Sequence, residues 1–399
     1  MAADVLLKQI ASEAEKLHPW ICERRRHLHR NPELSFEEFK TSAFVRDEMK
    51  SLGYHPADSI PGRYGFHADL ISKQNPKEFI LLRADMDALP IQEENDVEFK
   101  SQHPGVGHLC GHDTHTSMLL GAAALLKDKV DQLPVSVRFI FQHAEEVGPG
   151  GAKDFVDAGL TKDVLGCFGL HVSPRVSSGH FGVRSGETMA CVGSIDCTIR
   201  GRGGHAAAPN ETVDPVIATA AAIMNLQQIV SRRIAPVEPA VVSITMIHTG
   251  TASNVIPDEV RFQGTFRSFN MESVPIIEKM IEQIVVDTAK TYGCTAKTNV
   301  YHSYPPVIND ARAVAASAEA IVSMFGDAAP RDIPKSMGAE DFAYFANAKP
   351  SSFVFLGCLP EGDTFYPLHH AKFLPDESTL WRGSALLAAM PFVAPKYLK

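Results

Sequence analysis

The alternation of apolar and polar positions predicts a chain built from buried strands and helices. Several short apolar runs lack the polar alternation of a half-exposed strand and are typical of a mainly parallel α/β sheet. These predicted strands lie at residues 66–71, 79–82, 135–141, 166–170 and 353–356. A helical period predicts helices at residues 4–17, 118–126, 152–158, 311–325 and 380–392. The pattern therefore indicates an α/β fold.

The pattern changes between residues 187 and 298, where the order becomes strand, helix, strand, strand, helix, strand. The strands are predicted at residues 192–200, 240–249, 259–267 and 295–301. The helices are predicted at residues 213–230 and 272–292. This order is that of the ferredoxin-like unit, and a chain of 399 residues exceeds what one hydrophobic core usually holds. We therefore predict a discontinuous α/β domain, residues 1–186 plus 299–399, into which an α+β ferredoxin-like domain, residues 187–298, is inserted.

A strongly basic run follows the first predicted helix, Arg24-Arg25-Arg26-His27-Leu28-His29-Arg30. Its two histidines are conceivable metal ligands. For His27 and His29 we prefer the interpretation of a solvated helical face.

Composition limits the kinds of partner. Nucleic acid and anionic membranes both need basic surface, whereas the net charge of this chain is −9. No apolar run reaches the ~18 residues of a membrane span, and the N-terminal residues lack the pattern of a signal peptide. The seven cysteines are scattered and odd in number, which fits a reducing compartment better than a disulfide framework. We therefore expect a cytoplasmic protein that binds neither nucleic acid nor membranes.

Metal-binding side chains are concentrated in one segment, Gly107-His108-Leu109-Cys110-Gly111-His112-Asp113-Thr114-His115-Thr116. Other polar residues follow the predicted strands or lie in the last segment of the chain: Asp85, Asp87, Glu145, Glu146, His171, His369 and His370. Open α/β sheets bind ligands beyond the carboxyl ends of their strands, so we expect these residues to share one crevice. For Asp85 and Asp87, a turn that needs aspartate only for ordinary hydrogen bonds is an equally good interpretation.

Thiolate, imidazole and carboxylate groups together suit zinc, manganese, cobalt or iron better than magnesium or calcium. The candidate ligands outnumber the four of a tetrahedral ion, and two ions that share a bridging ligand would account for them. Adjacent residues that leave a strand point in different directions, so one of Glu145 and Glu146 can bind metal while the other transfers a proton. A surface acidic pair is the alternative for these two glutamates alone. The residues themselves thus indicate a metal-dependent hydrolase.

Several motifs in fixed order resemble those of the N-acyl-amino-acid amidohydrolases. That group includes hippurate hydrolases and plant auxin-conjugate hydrolases, within the aminoacylase and carboxypeptidase-like dinuclear metallopeptidases. The resemblance covers nearly the whole chain, and its signature is the segment 107–116 followed by Met118-Leu119-Leu120-Gly121-Ala122-Ala123. The other matching motifs are Arg25-Arg26-His27-Leu28-His29, Pro32-Glu33-Leu34, Arg83-Ala84-Asp85-Met86-Asp87-Ala88-Leu89-Pro90, Gln142 with Ala144-Glu145-Glu146, Gly203-Gly204-His205-Ala206-Ala207, Asn254-Val255-Ile256-Pro257, Gly264-Thr265-Phe266-Arg267, Glu340-Asp341-Phe342 and Leu368-His369.

The resemblance implies a dinuclear-metal exopeptidase-like α/β/α catalytic domain, residues 1–186 plus 299–399. The implied reaction is hydrolysis of the amide bond of N-acyl-amino acids by a metal-activated water, with Glu145 as general base and acid. Two divalent ions per chain (Mn, Zn or Co) are implied, and their ligands would be Cys110, His112, Glu146, His171 and His369.

The resemblance also implies that the inserted domain is a lid through which the chain forms a homodimer or a higher oligomer. In that lid, His205 would reach a neighbouring active site and stabilise the oxyanion. Asn254 and Arg267 would bind the substrate, with Arg267 as a clamp for its carboxylate. For His205, the alternative is a residue at a helix start that serves only local hydrogen bonds.

The chain departs from the family pattern at three positions. It has His143 where relatives commonly have proline, and Asn210 where histidine is common. His370 lies beside His369, so the last ligand is open by one position; we favour His369 because it follows Leu368 as in the family pattern. These departures concern specificity more than the reaction.

Other functions stay open. A dipeptidase or aminopeptidase on the same scaffold is the nearest alternative, and a non-catalytic metal or small-ligand binder is the alternative from another class. A nucleotide-dependent oxidoreductase is suggested by Gly201-Arg202-Gly203-Gly204-His205-Ala206, which fits G-x-G-x-x-A. That motif expects an acidic residue roughly 20 positions further on, at the end of a second strand, whereas residues 218–224 are Ala-Thr-Ala-Ala-Ala-Ile-Met.

Overall fold

The computed structural model describes residues 2–399, which form two compact units. The first unit contains the described chain up to Thr188 together with Val307–Lys335 and Asp341–Lys399. The second contains Met189–Pro306 and Ser336–Glu340. Whether the second unit acts as a lid or a dimerisation domain stays a prediction.

Helices and strands alternate through most of the described chain. The helices are α1 (Ala2–Arg30), α2 (Phe39–Ser51), α3 (His112–Leu126), α4 (Gly151–Asp157), α5 (Pro215–Leu226), α6 (Val274–Thr291), α7 (Ala311–Phe325), α8 (Ala343–Ala348), α9 (Leu380–Val393) and α10 (Pro395–Leu398). The strands are β1 (Phe66–Leu70), β2 (Phe79–Asp85), β3 (Ser136–Gln142), β4 (Val164–Ser177), β5 (Phe181–Val183), β6 (Gly186–Met189), β7 (Cys191–Arg200), β8 (Gly204–His205), β9 (Ala240–His248), β10 (Val255–Ile256), β11 (Glu259–Ser268), β12 (Thr295–Tyr304), β13 (Val307–Asn309), β14 (Pro330–Asp332) and β15 (Ser351–Leu359). Among residues 2–399, no helix combines the length and the apolar character needed to cross a membrane.

A seven-stranded sheet in the order β1-β3-β2-β4-β15-β5-β14 forms the centre of the first unit. Its middle strands β3, β2, β4 and β15 run parallel, whereas β1 is antiparallel to β3. Every residue of β2 and β3 is buried, which explains why both strands are mainly apolar without a regular polar alternation. Helices α1, α3, α7 and α9 pack on one another, and α3 also contacts β2. The predicted α/β architecture is confirmed.

Helix α1 corrects the interpretation of the basic run. The helix continues from the predicted segment through Arg30, and Arg25 and His29 are fully buried instead of solvated. Asp113 Oδ2 accepts hydrogen bonds from Arg25 Nε at 2.8 Å and from His29 Nδ1 at 2.8 Å. His29 Nε2 lies 3.0 Å from Glu93 Oε1. Burial alone would lower the pKa of His29, but Asp113 and Glu93 outweigh it and raise the pKa.

The four long strands and two helices of the second unit follow the predicted order, and the short strands β8 and β10 are additional. Its four-stranded sheet runs β12-β7-β11-β9, with every neighbouring pair antiparallel. Buried and partly exposed residues alternate along β7, and helices α5 and α6 pack on each other and form one apolar core with the sheet. This arrangement is that of the ferredoxin-like unit.

The buried ion pair of Arg25 and Asp113 yields a stability prediction. Asp113→Ala should lower the free energy of unfolding by about 3–5 kcal/mol, because it leaves the buried Arg25 charge without this partner. Asp47→Ala is the control, since Asp47 forms an exposed ion pair with Lys50, and it should change stability by less than about 0.5 kcal/mol. Urea unfolding followed by circular dichroism measures both. Equal stability of the two variants would contradict the prediction.

Candidate metal centre

Six side chains that were predicted to form the site lie close together in the first unit. The donor atoms of Cys110, His112 and His171 lie within 4.8 Å of one another, and so do those of Cys110, Glu146 and His369. A third group within the same limit contains His112, Glu145 and Glu146. Cys110, His112 and Glu146 each belong to two of these groups, so the three groups overlap in one cluster.

Cys110 and His112 are placed by the start of helix α3. The intervening Gly111 has a φ of 105°, a conformation that side chains other than hydrogen rarely allow. A Cβ atom at this position would lie 2.4 Å from Cγ2 of Val172. Glycine is therefore required between the two donors. The helix begins at His112, earlier than the predicted start at residue 118, so His112 and His115 share its first turn.

Hydrogen bonds fix the orientation of the histidine donors. His171 Nδ1 donates to the carbonyl oxygen of Val172 at 2.7 Å, and its Nε2 lies 3.4 Å from Cys110 Sγ. His112 Nδ1 donates to the carbonyl oxygen of Asp87 at 2.9 Å and lies 3.2 Å from Oδ1 of the same residue. His112 Nε2 is buried without a hydrogen-bond partner. In both rings Nδ1 carries the proton, which leaves Nε2 available for a metal.

The two glutamates follow strand β3. Glu146 Oε1 lies 3.5 Å from His369 Nε2 and 3.8 Å from His112 Nε2, and it is buried without a hydrogen-bond partner. Glu145 Oε2 lies 3.8 Å from the same nitrogen of His112. The backbone N–H of His369 donates to the carbonyl oxygen of Leu109 at 2.8 Å, which attaches this distant residue to the segment that carries Cys110.

The carboxylates around Cys110 and His112 favour the binding of cations. Burial and then the carboxylates of Glu146 and Glu145 raise the pKa of the Cys110 thiol well above its usual range. Burial would lower the pKa of His112, but the negative charges of Asp85 and Asp87 outweigh it and raise the pKa well above its usual range. Divalent ions would take the place of these protons, since metal binding deprotonates thiol and imidazole ligands. The donor set and its two unpartnered buried atoms fit a dinuclear metal site.

Further polar residues support the donors: Asp85, Asp87 and His115. For the two aspartates the sequence left a site role and an ordinary turn role equally open. Asp87 holds His112, as described above, and Asp85 Oδ1 accepts a 2.6 Å hydrogen bond from His115 Nδ1. His115 Nε2 accepts a hydrogen bond from Val172 N at 3.0 Å. Both aspartates therefore lie at the centre and act there through hydrogen bonds. The spacing of three residues between His112 and His115 was the available signal, because it places both on one helix face.

The structure also places the residues that departed from the family pattern. His370 Nδ1 accepts a hydrogen bond from Lys372 N, and its ring stacks on Tyr366 at 4.8 Å, whereas His369 lies beside Glu146. His143 is buried, with Nε2 3.2 Å from Asp154 Oδ2. Asn210, in the second unit, is exposed in the short 3-10 turn Pro209–Glu211.

The remaining predicted site residues belong to the second unit. His205 is exposed, and its strand β8 pairs with β10 next to Asn254. Ala207 N donates to His205 Nδ1 at 3.0 Å, so Nε2 carries the proton of the neutral ring. Arg267 is partly buried and donates to the carbonyl oxygens of Phe266 and Met337 at 3.0 and 3.2 Å. Their functional roles stay predictions.

Comparisons with known proteins identify the class. The model of peptidase family M20/M25/M40 matches residues 81–391, and the chain belongs to this family. An N-acyl-L-amino acid amidohydrolase of Geobacillus stearothermophilus is 44% identical over 285 residues, 71% of this chain and 76% of the relative. The thermostable carboxypeptidase 2 of Saccharolobus solfataricus is 37% identical over 391 residues, 96% of this chain and 98% of the relative. The crystal structure of the Bacillus subtilis YXEP protein, a dinuclear metal-binding M20 peptidase, superposes with a TM-score of 0.80 at 32% identity, covering 96% of this chain and 99% of that one.

Cys110 belongs to two donor groups, and this membership predicts how its substitution changes the metal content. Cys110→Ala should remove nearly all bound metal, because both donor groups that contain Cys110 lose a ligand. His370→Ala is the control and should keep the wild-type content, since His370 bonds to Lys372 and stacks on Tyr366. Elemental analysis of dialysed protein measures both, and full metal content in Cys110→Ala would refute the prediction that Cys110 binds metal.

Proposed function

We propose that this chain hydrolyses the amide bond of N-acyl-amino acids with two divalent ions held by its first unit. The ligands would be Cys110, His112, Glu146, His171 and His369. The observation that carries the proposal is Glu145, a second carboxylate beside the donors, with Oε2 3.8 Å from His112 Nε2. A structural metal site is closed by its ligands and needs no additional carboxylate.

Glu145 would act as general base and then as general acid. It takes a proton from the attacking water and delivers it to the amine nitrogen as the carbon–nitrogen bond breaks. When bound, the two ions supply the charge that activates the water and polarises the acyl carbonyl. Glu145 is 6% exposed, and this burial favours proton transfer because it excludes competing bulk water.

Residues of the second unit would complete the site. His205 would donate from Nε2 to the oxyanion of a neighbouring copy, which its accepted hydrogen bond at Nδ1 supports. Asn254, which directly precedes strand β10, would bind the substrate. Arg267 would hold the substrate carboxylate, for which a guanidinium is well suited.

A homodimer through the second unit is part of the proposal. Apolar side chains are exposed on helix α5, where Met224 is 72% exposed, and on strand β9, where Ile247 is 56% exposed. Strand β9 is also an edge of its sheet, and an unpaired edge with apolar side chains favours association with a second copy.

The physiological metal would be manganese, zinc or cobalt. A thiolate together with imidazoles and a carboxylate suits these ions, and several of them can fill one ligand set. The seven cysteines are free thiols in the structure, which supports a reducing cytoplasm as the place of action.

A substrate panel tests the reaction. Protein stripped by a chelator and reloaded with Mn, Zn or Co should release amino acid from N-acetyl, N-benzoyl or indole-acetyl amino acids. Free dipeptides belong in the same panel, because one relative is named a carboxypeptidase. Cleavage of dipeptides alone would move the substrate class to peptides. Cleavage of nothing by metal-loaded protein would favour a non-catalytic binder.

The neighbouring glutamates separate proton transfer from metal binding. Glu145→Gln should keep the metals and lower kcat by about 10²–10⁴-fold, because an amide cannot act as a general base. Glu146→Gln is the matched comparison and should lose metal as well as activity. Elemental analysis and initial rates measure the two effects. Full activity in Glu145→Gln would remove Glu145 from the proposed role.

A further inference from the structure

Glu38 is a buried carboxyl that belongs to none of the donor groups. It lies in the loop between α1 and α2 and is fully buried. Its Oε1 accepts hydrogen bonds from Ala144 N at 2.7 Å and from Phe36 N at 3.0 Å. Its Oε2 has no hydrogen-bond partner. One oxygen thus joins this loop to the residue that precedes Glu145.

Both residues that donate to this oxygen have a left-handed backbone. The φ angle is 51° at Ala144 and 66° at Phe36. Residues other than glycine adopt this region only at an energetic cost, and the surrounding structure must offset it. The shared acceptor Glu38 supplies that support, because it accepts the N–H of both residues and the buried Ala144 N–H would lose this partner without it.

The same loop also holds the other side of Glu145. Asp87 Oδ2 accepts a hydrogen bond from Glu146 N at 3.0 Å and another from Ser35 Oγ at 2.7 Å. Glu38 therefore fixes the N–H before Glu145, and Asp87, held by Ser35, fixes the N–H after it. The side chain of Glu145 leaves a turn that is fixed at both ends.

The properties of Glu38 fit an acceptor better than a source of charge. Burial and then the nearby charge of Asp87 raise the pKa of Glu38 to about 7. A carboxyl with such a pKa exists in both forms near neutral pH, and its carbonyl oxygen can accept the two N–H groups in either form.

We propose that Glu38 is a positioning residue that holds the Ala144–Glu146 turn and thereby aims Glu145 at the reacting amide. This inference rests on the proposed function. Loss of the acceptor should move Glu145 more than the metal ligands, because Asp87 still holds the N–H of Glu146. A displacement of about 1 Å at a catalytic group can cost about 10²-fold in rate, so kcat should suffer more than KM.

The test compares three variants in metal-loaded, full-length protein. Glu38→Leu removes the acceptor, Glu38→Gln keeps an amide oxygen at the same position, and Glu37→Leu is the matched control at an exposed neighbour. Glu38→Leu should lower kcat by about 10–100-fold with nearly unchanged KM and metal content. Glu38→Gln should restore kcat to nearly the wild-type value, and Glu37→Leu should match wild type.

Hydrogen–deuterium exchange gives a readout that does not depend on turnover. The peptide that contains Ala144 should exchange faster in Glu38→Leu than in wild type, and at the wild-type rate in Glu38→Gln. If the wild type cleaves no substrate, the proposed function fails, and exchange alone still decides the role of Glu38 in holding the turn. If Glu38→Leu does not fold, Glu38→Asp, whose shorter side chain withdraws the oxygen, should change kcat and exchange in the same direction.

Two results would overturn the proposal. One is a folded Glu38→Leu with wild-type kcat and wild-type exchange at Ala144. The other is a Glu38→Gln as impaired as Glu38→Leu, because the charge and not the accepting oxygen would then be the essential feature.

Discussion

Negative charge collected around Cys110 is the constraint on which the first unit depends. A buried carboxylate or thiolate is costly unless an opposite charge compensates it. Arg83 compensates part of this charge, because its Nη1 and Nη2 donate to Asp85 and Asp341 at 2.6 and 2.7 Å. Burial first, and then the carboxylates of Glu146 and Glu145, raise the pKa of the Cys110 thiol well above its usual range. Divalent ions bound by these donors would keep the thiol and imidazole groups deprotonated.

A second buried charge network lies at the start of helix α3. His112 is a donor of the metal centre, whereas the next residue, Asp113, binds Arg25 and His29 of helix α1. Arg25 and His29 together hold the pKa of Asp113 well below its usual range, although burial opposes this. The first turn of α3 is thus fixed by ionic contacts on one face while it presents donors on another. The basic run of α1 therefore anchors the metal centre through the backbone of α3.

The sequence predicted best those elements whose apolar side chains indicate that they are buried. Strands β2 and β3 are buried at every residue, so an apolar run sufficed. Helix α1 was predicted too short because its later residues are charged, and the partners that bury His29 lie 64 and 84 positions away. The candidate metal donors that cluster in the structure were predicted from spacing and from the resemblance. The contact of Glu38 with the turn before Glu145 could not be predicted. Its partner is a backbone N–H 106 positions away, and side-chain patterns carry no information on backbone donors.

Three residues near the metal centre have a left-handed backbone conformation: Gly111, Ala144 and His369. At each of them the required backbone conformation limits which side chain is possible. At position 111, only glycine fits, because Val172 occupies the space of a Cβ atom. His369 has a φ of 67° yet must keep its imidazole, and its N–H is held by Leu109. Glycine in place of Ala144 would adopt its φ of 51° without cost, but it would also adopt others, so the turn before Glu145 would lose its single conformation. A strained alanine held by a buried acceptor restricts that turn more narrowly, and the proposed role of Glu145 as a general base would depend on this restriction, because proton transfer requires hydrogen-bond distance.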